Sequence, residues 1–483
     1  MRHRTTLIHT TFLAGLILCT PLLAEPQRAE LLQVYQHAVE QDARLSAARH
    51  EFQALSERVP QARAGLLPTL NAGATFESTR LQRDEPALTR TRSGMVYQAN
   101  LNQPLLRLDR WYALKAAEAG TAQAGLDLAA KEQSLILQTA EAYFDTLRAL
   151  DALAAAKAEA KALKRQQEQA QGRLANGASS ITDVLDAQAA YDNASANRQL
   201  AQRKVDDAFE ALYRLTRQDY AQIAGIAHQL PVQAPVPNDA STWVEQAVQS
   251  NLSLLSSGHA VDAAMQANRQ RKAGHAPTLD AVASYRKGDN DRFGYSNPTD
   301  FGRNGYRDDI AQGTLGLELN IPLYAGGLTS SQVREAGERL AQSEDEHEDR
   351  RREVVLQTRN LHRAVNADVE QVQARQQSIR SSQASLKANL VGRALGSRNT
   401  ADVLNAERQL YRAVREYNDA RYDYIIDSLK LKQAAGSLAP QDLLELSHYL
   451  SRDYDPDRDF LPPEARRPCR HRSGRCGGGR PTP

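Results

Sequence analysis

Pro68-Thr69-Leu70-Asn71-Ala72-Gly73-Ala74-Thr75-Phe76 returns 209 positions later as Pro277-Thr278-Leu279-Asp280-Ala281-Val282-Ala283-Ser284-Tyr285. In both copies every second residue is apolar and the intervening ones are mostly polar, the period of a strand with one dry and one wet face. The same shift carries Ala38-Val39 onto Ala247-Val248, Leu45 onto Leu254 and Ala64-Gly65 onto Ala273-Gly274 without a gap. Further on, a shift of 218 brings Leu101-Asn102-Gln103-Pro104-Leu105 onto Leu319-Asn320-Ile321-Pro322-Leu323, and a shift of 219 brings Asp183-Val184-Leu185 onto Asp402-Val403-Leu404. A period above 200 residues is too long for a solenoid unit, so one module has been duplicated and fused. The first repeat is placed at 25–230 and the second at 231–450.

Each strand phrase has a partner within its repeat. Tyr97, Ala99 and Leu101 alternate with Gln98, Asn100 and Asn102, and Leu315, Leu317, Leu319 and Ile321 alternate with Gly316, Glu318 and Asn320. The expectation is two β-hairpins, at about 68–105 and 277–323, with Pro68, Pro104, Pro277 and Pro322 at the four strand-to-helix junctions. Four such strands on an exported chain point to a membrane barrel with a wet interior. They cannot close one alone, because the smallest membrane barrels have about eight strands and lipid tolerates no open sheet edge. Self-assembly is therefore expected.

No proline occurs between Leu105 and Leu230 or between Leu323 and Ala439, although the chain holds 19. Both intervals are thus free to form long helices. Leu128, Leu135, Ala142, Ala149, Ala156, Leu163 and Ala170 keep a stride of seven, as do Val365, Val372, Ile379 and Leu386. That stride signals helices packed side by side, with alanine permitting close approach. A helix from Leu105 to Asn176 is a rod of about 108 Å at 1.5 Å per residue. Asn176-Gly177-Ala178-Ser179-Ser180 and Leu395-Gly396-Ser397-Arg398-Asn399 read as the turns of two antiparallel helical hairpins. The return helices continue the stride, through Val184, Tyr191, Val205 and Leu212, and through Val403, Leu410, Tyr417, Tyr424 and Leu431.

The first 24 residues pair Arg2 and Arg4 with an apolar run and end at Ala24, the layout of a cleaved secretory signal peptide. Cys19 is the alternative, a lipid-bearing cysteine, which the bulky Leu18 before it disfavours. Setting aside Arg2, Arg4 and the six arginines and one glutamate from Leu461 onward leaves 52 basic against 57 acidic residues. Such a mildly acidic body has no stripe for nucleic acid. Residues 451–483 are expected to form a disordered tail, in which Cys469 and Cys476 can pair but cannot staple the fold.

These residues resemble the TolC family of outer-membrane exit ducts. The resemblance spans roughly Glu30 to Leu450 and is carried by Gln103-Pro104-Leu105, Ile321-Pro322-Leu323, Ala140-Glu141-Ala142-Tyr143-Phe144, Ile181-Thr182-Asp183-Val184, Gly326-Gly327-Leu328 and Ala420-Arg421-Tyr422-Asp423-Tyr424. It implies a homotrimer: a twelve-stranded β-barrel in the lipid of the Gram-negative outer membrane, continued across the periplasm by a twelve-helix α-barrel. Its implied partners are a periplasmic adaptor and an inner-membrane transporter of RND, ABC or MFS type, for drug efflux or type I protein secretion. It implies no cofactor and no metal. The family closes its periplasmic mouth by polar links at the hairpin tips, which map here to Thr182 and Asp183 on the first tip and Arg398 on the second. Arg393 stands where the family has a gate tyrosine, and of two pore-constricting aspartates only Asp402 is kept, with Asn405 in place of the other.

Two other classes fit the sequence less well. For an enzyme, the chain lacks a zinc-protease helix motif, a serine nucleophile turn and a Walker loop, and its histidines are scattered. A periplasmic coiled-coil adaptor shares a helical hairpin but is expected to carry only one, beside compact β domains; a structural protein without a conducting pore is the remaining alternative.

Overall fold

The computed structural model describes residues 28–85, 88–226, 230–289 and 309–459. The expected signal peptide with Cys19, and Cys469 and Cys476, lie outside them.

Three short helices, α1 (Leu31–Gln41), α2 (Ala43–Ser56) and α3 (Arg58–Ala64), lead into β1 (Thr69–Arg83) and β2 (Leu88–Leu106). Helix α4 (Leu108–Ala175) then runs 68 residues without a break, and α5 (Ile181–Thr216) returns along it. After β3 (Gly225–Ile226) the plan repeats as α6 (Ala240–Ser250), α7 (Leu252–Lys272), β4 (Thr278–Asp289), β5 (Asp309–Asn320), α8 (Leu328–Ala394) and α9 (Thr400–Ala434). The duplication reaches the caps. Asp42 accepts from Leu45 N at 2.7 Å to start α2, and Asn251 accepts from Leu254 N at 3.0 Å to start α7. The last described elements are α10 (Pro440–Ser447), β6 (Leu450–Ser451) and α11 (Pro456–Asp459).

The four long strands make one antiparallel sheet in the order β1-β2-β4-β5, leaving β1 and β5 as edges. Register carries the apolar period across it: Leu70 faces Leu101, Leu101 faces Ala283 and Ala283 faces Leu315. The adjacent row is Asn71, Asn100, Ser284 and Thr314. Among the described residues nothing covers the apolar face; Leu70 is 71 % exposed and Leu315 85 %. Pro68 and Pro277 directly precede β1 and β4, and Pro322 follows β5, but Pro104 lies inside the end of β2 rather than beyond it. The ladder to β4 slips between Pro104 and Leu106, a bulge where a residue without an N–H is accommodated.

The rods pack through the seven-residue stride. Val372, Ile379 and Leu386 of α8 bury against Val403, Leu410 and Tyr417 of α9. Midway along, a belt of short elements wraps α4, α5 and α9 around a core of Leu31, Val34, Phe144, Leu147, Leu212, Ile425 and Leu443. Tyr143 ties the belt together, its hydroxyl donating to Ala224 O at 2.5 Å and Ala29 O at 3.2 Å.

Residues 450–459, of which 451–459 fall in the tail expected to be disordered, form a strap on this belt. β6 pairs with β3, Arg452 forms an ion pair with Glu30, and Lys157 meets Asp457 at 3.0 Å. Tyr454 is buried so closely on Gly225 that a Cβ there would come within 2.0 Å of its ring. The acidic composition of the strap hid this, because the ordering force is one aromatic side chain in a pocket of distant residues. Among the described residues, no helix is long and apolar enough to cross a membrane.

Candidate functional site at the hairpin tips

Gly177 and Gly396, both at positive φ, turn the two hairpins at equivalent positions. Ser180 then caps α5 in a reciprocal box: Asp183 N donates to Ser180 Oγ at 3.2 Å and Ser180 N to Asp183 Oδ2 at 3.1 Å. Ser179 Oγ adds a third bond to the same oxygen at 2.8 Å. These bonds, that from Ser179 first, hold the exposed Asp183 carboxyl below its usual range. It is therefore a carboxylate at any physiological pH, with Oδ1 accepting no bond among the described residues.

The second tip repeats the box. Asn399 N donates to Asp402 Oδ2 at 3.1 Å, and Asp402 N to Asn399 Oδ1 at 2.8 Å. Asp183 and Asp402 thus occupy one position of the duplicated tip, although the resemblance assigns them different roles. Both cap their helices before anything else, a signal legible in Ser180-Ile181-Thr182-Asp183 and Asn399-Thr400-Ala401-Asp402. Arg398 stands where the first tip has Ser179, and Arg393 lies in the last turn of α8. Both are exposed, and within one chain neither forms an ion pair among the described residues. The Thr182 hydroxyl lies 2.5 Å from Ser180 Oγ. Asn405, one turn into α9, opens on a groove of about 780 Å³ between α5, α4 and α9.

At the belt lies a buried centre that the linear sequence concealed. Asp151 of α4 is 1 % exposed and accepts from Asn418 Nδ2 at 2.9 Å, from Tyr422 OH at 2.8 Å and from the Tyr454 hydroxyl of the strap. Burial pushes its carboxyl up to about 6, against the pull of those donors and of the nearby Arg421 cation. The partners lie 267, 271 and 303 residues from Asp151, so no local motif announces them. Among the described residues, no cluster of His, Cys, Asp or Glu is arranged to hold a metal.

The Outer membrane efflux protein family matches residues 34–216 and 243–437, one segment in each repeat. The chain is 33 % identical over 439 residues to Outer membrane protein TolC of Escherichia coli strain K12, covering 91 % of this chain and 88 % of that protein. It is 28 % identical over 432 residues to Proteases secretion protein PrtF of Dickeya chrysanthemi, covering 87 % of this chain and 91 % of that one. In three dimensions it resembles the Campylobacter jejuni CmeC outer membrane channel, with a TM-score of 0.74 at 15 % identity, covering 93 % of this chain and 98 % of that one.

Proposed function

The chain belongs to the outer membrane efflux protein family, and on that footing we propose that three copies close a twelve-stranded barrel in the outer membrane. Twelve helices continue it through the periplasm. The protein is an outer-membrane exit duct for efflux and type I secretion, and it works with an adaptor and an inner-membrane transporter, of RND, ABC or MFS type in this proposal. The observation that carries the architecture is the open sheet: among the described residues its apolar face is uncovered, its edges β1 and β5 are unpaired, and no helix of the rods is long and apolar enough to cross a membrane. Only another copy can satisfy both edges while lipid satisfies the face. No catalytic role is assigned to any residue.

The mature protein should purify as a detergent-requiring trimer that conducts ions across a planar bilayer. A water-soluble, non-conducting monomer by light scattering and electrical recording is incompatible with this reading.

At the tips, Asp183 Oδ1 is available to a guanidinium of an adjoining helix pair, and Arg398 is the candidate donor, with Thr182 and Arg393 beside the contact. Asp402, with Asn405 one turn behind, is the proposed constriction of the mouth. A charge-assisted bond of this kind contributes about 1.5–3 kcal/mol, so losing it shifts the closed-to-open balance by about tenfold or more. Asp183→Ala and Arg398→Ala should both raise single-channel conductance. The arginine variant is the cleaner test, because Asp183→Ala also uncaps α5 at a cost of about 1 kcal/mol. Unaltered conductance in Arg398→Ala places the closure elsewhere.

A further inference from the structure

The groove onto which Asn405 opens is strongly cationic. Its walls bring Arg203 and Lys204 of α5 against Arg408, Arg412 and Arg415 of α9, with Glu159 of α4 as the one carboxylate lining it. Glu159 is taken by Arg408 at 2.9 Å, Arg203 lies 3.7 Å from Asp207 on its own helix, and Arg415 is near Asp419. Lys204 and Arg412 have no ion-pair partner among the described residues. Neighbouring like charges repel, so the uncompensated pair carries a cost within the single chain.

Helix geometry tells which way the groove faces. At about 100° per residue, Arg412 points nearly opposite to Val414, which is buried in the seam with α8, so α4 and α5 are the helices that orient the groove. On α4 the groove takes Ala152 and Ala156, whereas Phe144, Leu147 and Asp151 turn to the belt. On α5 it takes Leu200 and Lys204, whereas Val205 and Leu212 are buried. The groove therefore lies on the face away from the belt. In a closed ring of helices three copies of the belt fit only outside, since inside they would fill the bore. The groove then faces inward.

We propose that this groove forms a cationic belt on the wall of the duct that holds carboxylate- or phosphate-bearing groups of passing cargo. The proposal rests on the duct reading above and adds a substrate class to it: anionic cargo, met behind the acidic Asp402 mouth. Guanidinium groups one turn apart on α9 can each grip two oxygens of such a group, and low-dielectric walls focus their field along the bore.

The test is electrical. Inorganic tripolyphosphate and oligoglutamate, added separately from the periplasmic side of a planar bilayer holding the trimer, serve as phosphate and carboxylate probes. Block by either is expected, with a half-blocking concentration that rises about fivefold for each charge removed in Lys204→Gln and Arg412→Gln. Permeability should shift toward cations in the same variants. Block that is absent, or equal in the double variant, overturns the proposal. Location is tested separately by Arg412→Cys in a Cys469→Ser, Cys476→Ser background, labelled with a sulfonate-bearing thiol reagent. Altered conductance on labelling is the expected result. Complete labelling without change puts the groove outside, as a docking face for an acidic partner helix, and removes the proposal while the duct stands. A wild-type protein that does not conduct removes the duct itself.

Discussion

Leu315→Arg should leave the protein out of the outer membrane, whereas Thr314→Arg, one residue earlier, should assemble nearly as well as the wild type. The two side chains lie on opposite faces of the same strand. Leu315 continues the row Leu70, Leu101 and Ala283, and Thr314 the row Asn71, Asn100 and Ser284. An arginine near the bilayer midplane costs about 2–4 kcal/mol on the lipid side of a barrel strand, and the proposed threefold assembly would apply that cost three times. On the wet side the same cation stays hydrated. Leu315 sits five residues from the periplasmic end of β5, which places it well inside the apolar band at about 3.3 Å per residue. Recovery of trimer from outer-membrane fractions is the measurement. Equal recovery of the two variants would falsify the assignment of faces.

The rods and the sheet were legible because they are periodic. A stride of seven marked the buried seam of Val372, Ile379 and Leu386, and a stride of two marked the apolar row through Leu101 and Leu315. Periodicity also located both turns, where glycine interrupts the stride and a polar cap restarts it. What it could not show is contact between distant segments. The belt is assembled from short pieces, and the strap is held by Tyr454, whose neighbours in sequence are mostly charged. Pro104, expected at the strand-to-helix junction, lies in the last residues of β2, where the ladder to β4 slips in a bulge that accommodates it. The tips show a different shortfall. The 219-residue shift already aligned Asp183 with Asp402, yet the resemblance assigned one to a gate and the other to a constriction. Their shared capping box is the common physical role on which any such difference must be built.

The Asp151 centre makes the belt sensitive to pH in a defined direction. Its carboxyl is raised from an ordinary value of 3.8 to about 6 in the folded protein. The stabilisation linked to its protonated form is therefore fully present below about 3.8 and lost as pH rises through about 6. At 1.36 kcal/mol per unit, the site alone removes about 3 kcal/mol across that window. Asp151→Asn keeps the shape and most of the hydrogen bonds, so it should abolish this slope while leaving the strap in place. Asp151→Ala is different: it leaves the Tyr422 and Tyr454 hydroxyls and the Asn418 amide without their shared acceptor and removes the carboxyl near the Arg421 cation. Leaving buried partners uncompensated costs about 3–5 kcal/mol, enough to release the strap from α4 and α9. Amide hydrogen exchange over residues 450–459, followed from pH 4 to pH 7, reads both effects. Wild type should lose protection there as pH rises, Asp151→Asn should not, and Asp151→Ala should be unprotected throughout. Equal pH slopes in wild type and Asp151→Asn would show that the carboxyl is not the titrating group, and full protection in Asp151→Ala would show that Tyr454 is held by packing on Gly225 alone.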